Sequence, residues 1–288
     1  MSLFELLARP DLESPVLVMV LDGWIDAGLG AANALSAILE QGDTEVLARF
    51  DADALLDHRA RRPTMHLVDG VNTSLSWPGI ELRSMTDGAG HEGLLLVGAE
   101  PDHSWRAFSK ACVDLAMEFG VRLVVGLGAY PAPTPHTRPT RVVSTATSVE
   151  LANQIGFVPG RIDVPAGVQA AIERQCGEIG IPATGLWAQV PHYAAAMPYP
   201  AAGAALVDSL AQLTDITFDS AELHEEAAKT RGRLDELVAN SDEHVAMVRQ
   251  LEEQVDAMEA ETAAPDMTLL SGDELAAEVE RFLRDQDG

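Results

Sequence analysis

Short apolar runs recur along the first two-thirds of the chain, and most are followed by a polar break and a helical periodicity. Val16 to Leu21 is unbroken and rich in Val and Leu, the pattern of a strand buried on both faces. Gly93-Leu-Leu-Leu-Val97 and Val121 to Leu127 read the same way, and Gly79 to Met85 alternates through Ile80 and Leu82 as a strand with one exposed face. Glu45–Phe50, Met65–Val68, Ile162–Val164 and Thr184–Val190 are further strand candidates, and extended structure restarts over Arg141–Ser144. Leu3–Ala8 reads as a short amphipathic opening stopped by Pro10, and Asn72–Pro78 as a polar loop carrying Trp77.

Between the strands lie helices. Gly28-Leu-Gly30 opens an Ala-rich helix to about Leu39. Ser104 to Phe119 places Trp105, Phe108, Cys112, Leu115, Ala116 and Phe119 on one face, with Gly120 as its stop. Ser148–Gln154, Val168–Ile179 and Ala201–Leu213 complete the set. Alternation of this kind predicts a three-layer α/β/α sandwich with a mostly parallel sheet, formed by residues 1–218. From Asp219 the pattern is helical only, so residues 219–288 are expected to form a separate extension, its first helix kinked at Gly232. Leu234, Ser241, Val248 and Val255 form one line of a heptad-like seam and Leu237, His244, Leu251 and Met258 the other. The polar members Ser241 and His244 favour a helical hairpin or arm over a long coiled coil. Ala263–Asp266 reads as a break, and Ser271-Gly-Asp-Glu274 as the cap of a last helix ending near Arg284.

Charge narrows the functional classes. The 288 residues carry 19 basic and 45 acidic side chains, a net of -26, which argues against nucleic acid or an anionic membrane as the main partner. Residues 219–288 alone contribute 20 acidic and 6 basic groups, a net of -14, and Arg59-Ala-Arg-Arg62 is the one concentrated basic patch. Cys112 and Cys176 fall inside helices without metal-ligand spacing and read as reduced core thiols of a cytoplasmic protein. Met1–Pro10 has the character of neither a leader nor a membrane anchor.

In an open parallel sheet, ligands bind at the carboxyl ends of the strands. Four such ends carry polar or aromatic groups: Asp22, Trp24 and Asp26; Glu100 and His103; Tyr130 with the Pro-rich loop through His136, Arg138 and Arg141; and Gln189, His192 and Tyr193. If these meet they form a candidate cleft, in which a carboxylate and a histidine could exchange protons and an arginine could hold an anion. The bland readings compete: Asp22 and Asp26 as turn and helix-cap residues, His103 as a surface or capping residue, His192 and Tyr193 as interface or core. Gly28-Leu-Gly30 lacks the third glycine of a dinucleotide fingerprint and the Lys-Ser/Thr of a nucleotide loop. No nucleophile elbow, zinc motif or Cys-x-x-Cys is present, so no metal or cofactor is expected and no catalytic residue is assigned.

Asp22-Gly-Trp-Ile-Asp-Ala-Gly28, Gly126-Leu-Gly-Ala-Tyr-Pro131 and Gly185-Leu-Trp-Ala-Gln-Val-Pro-His-Tyr193 together resemble the proteasome assembly chaperone two family in its actinobacterial branch. The resemblance spans residues 15–215. It implies an α/β/α fold similar to nucleoside phosphorylases and peptidyl-tRNA hydrolase-like proteins. It also implies a non-enzymatic role in assembly or protein interaction, as a homo-oligomer (a trimer being one option) with a proteasome-related partner. Chaperone members of the family often end in a hydrophobic-Tyr-any tripeptide that docks into α-ring pockets. This sequence ends Asp285-Gln-Asp-Gly288, so docking by that route is not expected. The alternative is a small-molecule-binding protein or enzyme, hydrolase- or phosphorylase-like, working in the strand-end cleft.

Overall fold

A computed structural model describes residues 3–23 and 25–263. The expected break at Ala263–Asp266 and the last helix lie outside or at the margin of the described residues. The chain forms two compact units, Met1–Leu237 and Val238–Gly288.

The strands of the first unit are β1 (Phe4–Leu6), β2 (Val16–Asp22), β3 (Asp43–Phe50), β4 (Thr64–Val68), β5 (Val71–Ser76), β6 (Ile80–Thr86), β7 (Glu92–Ala99), β8 (Leu123–Ala132), β9 (Val142–Ala146) and β10 (Ala183–Pro191). Its helices are α1 (Gly30–Gln41), α2 (Ala52–Leu55), α3 (Trp105–Glu118), α4 (Val149–Ile155), α5 (Val168–Ile179) and α6 (Pro200–Leu213). α7 (Ala221–Ala239) belongs to the first unit as far as Leu237, and α8 (Asp242–Ala263) lies in the second.

Eight strands make one sheet in the order β1-β3-β6-β7-β2-β8-β10-β9. The central β7, β2, β8 and β10 are parallel, and the other neighbouring pairs are antiparallel. The expected sandwich is present, its sheet parallel at the centre and mixed toward both edges. The continuous apolar runs mark the central strands, because there both faces are covered. Along β2, Val16, Val18 and Val20 pack with Ala34 and Ile38 of α1 and Leu206 and Leu210 of α6. Leu17 and Met19, pointing the other way, pack with Phe108 and Cys112 of α3 and Ile172 and Cys176 of α5. Both thiols are free and buried.

The amphipathic opening Leu3–Ala8 contains β1, an edge strand paired with β3 through Phe4 and Phe50. Several other local expectations are corrected. Asn72–Pro78 is not a loop: most of it is β5, paired with β4 around a turn in which Asp69 (φ 48°) and Gly70 (φ 82°) are both left-handed. That is the geometry Asp-Gly favours in a two-residue hairpin. Ile162–Val164 forms no strand, because Pro159-Gly160 and Pro165 bracket it and it has no neighbour to pair with. Gly232 does not kink its helix; α7 runs through it to Ala239. One interior glycine costs only about 1 kcal/mol, and Leu234 two residues on is anchored in the core.

Candidate functional site

The site grows from the end of β2. After Asp22 the chain turns at Gly23, whose φ of 151° favours glycine and whose missing side chain leaves room for Arg61: a Cβ there would lie 2.3 Å from Arg61 Nη2. Asp26 then forms an isolated bridge with Ala129 of β8. Gly28 (φ 62°) and Leu29 (φ 55°) are left-handed, and Gly30 returns to helical geometry. This left-to-right-handed step turns successive backbone N–H groups toward one point, the arrangement that holds anions. Here the anion is internal: the Asp26 carboxylate accepts the N–H of Ala31 at 2.7 Å and of Ala32 at 3.0 Å. Burial pushes the Asp26 pKa up, the N–H bonds oppose the rise, and the charge of Asp22 adds to it.

Glu100 does the same on the other face of the sheet. It follows β7 directly, is buried, and accepts the N–H of Val168, the first residue of α5, at 2.7 Å. Its own N–H donates to the Asp22 carbonyl at 2.7 Å, which ties the ends of β2 and β7 together. Next to Val168, Gln169 donates through Nε2 to the carbonyls of Leu127 (3.3 Å) and Met19 (3.5 Å), while its buried Oε1 has no partner. Arg61 faces Asp102 across 3.5 Å.

These groups surround a cavity of about 520 Å³ at the ends of β2, β7 and β8. Asp22, Asp26, Glu100, Arg61 and Gln169 supply its polar wall, and Ile25, Leu35, Leu127 and Trp187 are among its apolar lining.

A second cluster forms beside the ends of β8 and β10. Gln189 Nε2 donates to the Tyr130 hydroxyl at 2.8 Å. His136, 3% exposed, donates its backbone N–H to the Tyr193 hydroxyl at 2.8 Å. Its ring lies between that hydroxyl (Nδ1, 2.7 Å) and Asp235 Oδ1 of α7 (Nε2, 3.1 Å). Arg231, one turn before Asp235, donates to the Thr137 carbonyl at 3.2 Å. The stiff loop is thereby fastened to α7 at two points.

The candidate residues thus divide. Asp22, Asp26 and Glu100 share the cavity; Tyr130 with Gln189, and His136 with Tyr193, pair apart from its lining. His103, His192 and Arg141 are exposed, Arg141 lining a separate hollow with Asp208, Ser209 and Gln212, and Arg138 stays in the Pro-rich loop. Trp24 lies outside the described residues. Four contributors were not singled out from the sequence: Arg61, Gln169, Trp187 and Asp235. Arg61 was visible only as one of a basic patch, and Gln169 only as the second residue of a helix. Among the described residues no group of three or more His, Cys, Asp or Glu could hold a metal ion. No described helix is long and apolar enough to cross a membrane.

Fold and site together define an α/β/α protein whose strand-end acids cap its own helices around an acidic cavity. The sequence profile of the PAC2 family matches residues 20–238, and the chain belongs to that family. It is similar to a Corynebacterium glutamicum protein of unknown function, with 31% identity, 89% of this chain and 98% of that one covered, and a TM-score of 0.83. The Mycobacterium tuberculosis unknown function protein Rv2714 is 35% identical over 89% of this chain and 92% of its own, with a TM-score of 0.81. The Mycobacterium tuberculosis proteasome-assembly chaperone homologue Rv2125 is 32% identical over 81% and 99%, with a TM-score of 0.75. No functionally curated protein matches the chain.

Proposed function

We propose that this chain is a non-enzymatic, assembly-chaperone-like protein that acts through protein contacts, with a proteasome-related protein as partner. The likeness to the proteasome-assembly chaperone homologue carries this reading. The state of the strand-end acids supports it. Asp26 and Glu100 each hold a helix N-terminus, and His136 is buried between a tyrosine and an aspartate. A general acid or base must be free to exchange a proton with substrate, and these groups are engaged by the fold itself.

The β4–β5 ribbon supplies a surface of the right chemistry. All residues of both strands are exposed, and neither strand contains Asp, Glu, Lys or Arg. Met65, Leu67, Val68, Val71 and Leu75 are solvent-facing, and Trp77 beside them is 57% exposed. An isolated two-stranded ribbon is marginal in water, and contiguous apolar surface of this kind marks protein contacts. In our reading the ribbon meets protein, the chain is a cytoplasmic homo-oligomer, and the acidic extension of residues 219–288 modulates the partner surface. The test is affinity capture of the tagged full chain from its own host, with and without Leu67→Lys and Leu75→Lys. A stoichiometric protein held by the unaltered chain and lost from the double variant supports the reading. Identical captures from both would remove the ribbon from it.

A further inference from the structure

We infer that the cavity at the ends of β2, β7 and β8 is a binding site for a small organic cation: a primary-amine head on an apolar body. This goes beyond the chaperone reading and does not depend on it.

The volume of about 520 Å³ lies within the range of small-molecule sites, roughly 300–1,000 Å³. Position also favours a site, since parallel strands end here and helices on both faces begin here. The charge of the lining then selects the ligand. Two helix N-termini converge on the cavity, those of α1 and α5. Each contributes about half a positive charge, which ordinarily attracts an anion. Both are already occupied: Asp26 takes the N–H groups of Ala31 and Ala32, and Glu100 takes that of Val168. Arg61 is the cation of the lining, and Asp102 faces it at 3.5 Å. Asp22 remains, a further carboxylate at the mouth with no helix to cap. Three carboxylates therefore outweigh two half-charges and one shared guanidinium, and the excess is negative.

One further feature fits an amine. The carboxylate excess also explains why Asp22 helps to push the Asp26 pKa up. A cation bound between them relieves that repulsion. The remaining wall, including Leu35, Leu127 and Trp187, suits an alkyl or aromatic body.

The test compares three probes of equal length, n-hexylamine, n-hexanol and hexanoate, by backbone amide NMR titration of the full chain. Hexylamine should bind saturably and shift Asp22, Asp26, Gly98 and Gln169. Hexanol and hexanoate should bind at least tenfold more weakly. Asp22→Asn, at an exposed position that caps no helix, should weaken hexylamine several-fold without changing the fold. Ala32→Leu, on the exposed side of α1 where the cavity opens, should block all three probes. Hexanoate binding as tightly as hexylamine, or hexylamine shifts elsewhere that both variants leave intact, would overturn the inference.

Discussion

Asp26 accepts the backbone N–H of Ala31 at 2.7 Å, so helix α1 carries its own counter-anion. The left-handed step at Gly28 and Leu29 folds the chain back far enough for a residue four places before the helix to reach its second residue. Truncating Asp26 to Ala should cost about 1–2 kcal/mol of stability, as loss of an N-cap does. Asp26→Ser should recover part of it. Chemical denaturation of the three proteins measures both values.

The same carboxylate should titrate above the ordinary aspartate range, because burial disfavours its charge and Asp22 repels it. Its folded-state pKa exceeds the unfolded one, so the folded protein binds this proton more tightly. The proton-linked part of its stability is present below the unfolded pKa and is lost as pH rises through the folded one, while the N–H bonds to Ala31 and Ala32 remain. In Asp22→Asn the Asp26 pKa should fall. Carboxyl carbon shifts followed through a pH titration give the direction.

Asp87 behaves oppositely. Burial pushes its pKa up, but the Thr217 N–H, the His91 ring and the N–H groups of His91 and Ala89 outweigh it and hold the carboxylate well below the usual range. Its folded pKa is depressed, so its contribution is complete above the unfolded value and is lost as pH falls toward the folded one. Asp87→Ala leaves those donors without their acceptor and should cost about 1–3 kcal/mol at neutral pH. Its stability should also fall less steeply below pH ~4 than that of the unaltered protein. Thermal melts across acid pH test both.

Tyr193 holds the His136 backbone and ring through one hydroxyl. Tyr193→Phe keeps the ring and deletes that oxygen, leaving a buried N–H unmet, at about 1–3 kcal/mol. Hydrogen exchange should rise at His136 while the amides of β2 stay protected.

Burial raises both thiols, Cys176 to about 11 and Cys112 well above the ordinary value. Thiolate is the reactive form, so labelling of the native protein by iodoacetamide should be slower than that of the unfolded chain by on the order of a hundredfold. Rapid labelling of either thiol in the native state would contradict their placement between α3 and α5.

The central strands were legible because burial on both faces leaves an unbroken apolar run, as in Val16–Leu21. Helices such as Val168–Ile179 were legible from their one-sided periodicity and glycine stops. The ribbon was partly missed because Asn72–Ser76 owes its pairing to main-chain bonds and the Asp69-Gly70 turn, which leave no apolar alternation to read. At the site, Asp22, Asp26 and Glu100 could be found because strand ends can be found. Arg61 and Gln169 could not, since each reaches the cavity from an element whose placement depends on tertiary packing. The rigid loop marks His136 as a candidate. Its partner Asp235 comes from a helix 99 positions away, in a segment read as a separate extension.

Action through protein contacts is open to native mass spectrometry of the full chain captured gently from its own host at native expression. A homo-oligomer carrying a stoichiometric proteasome-related protein is expected. A monomer with no partner protein would contradict it.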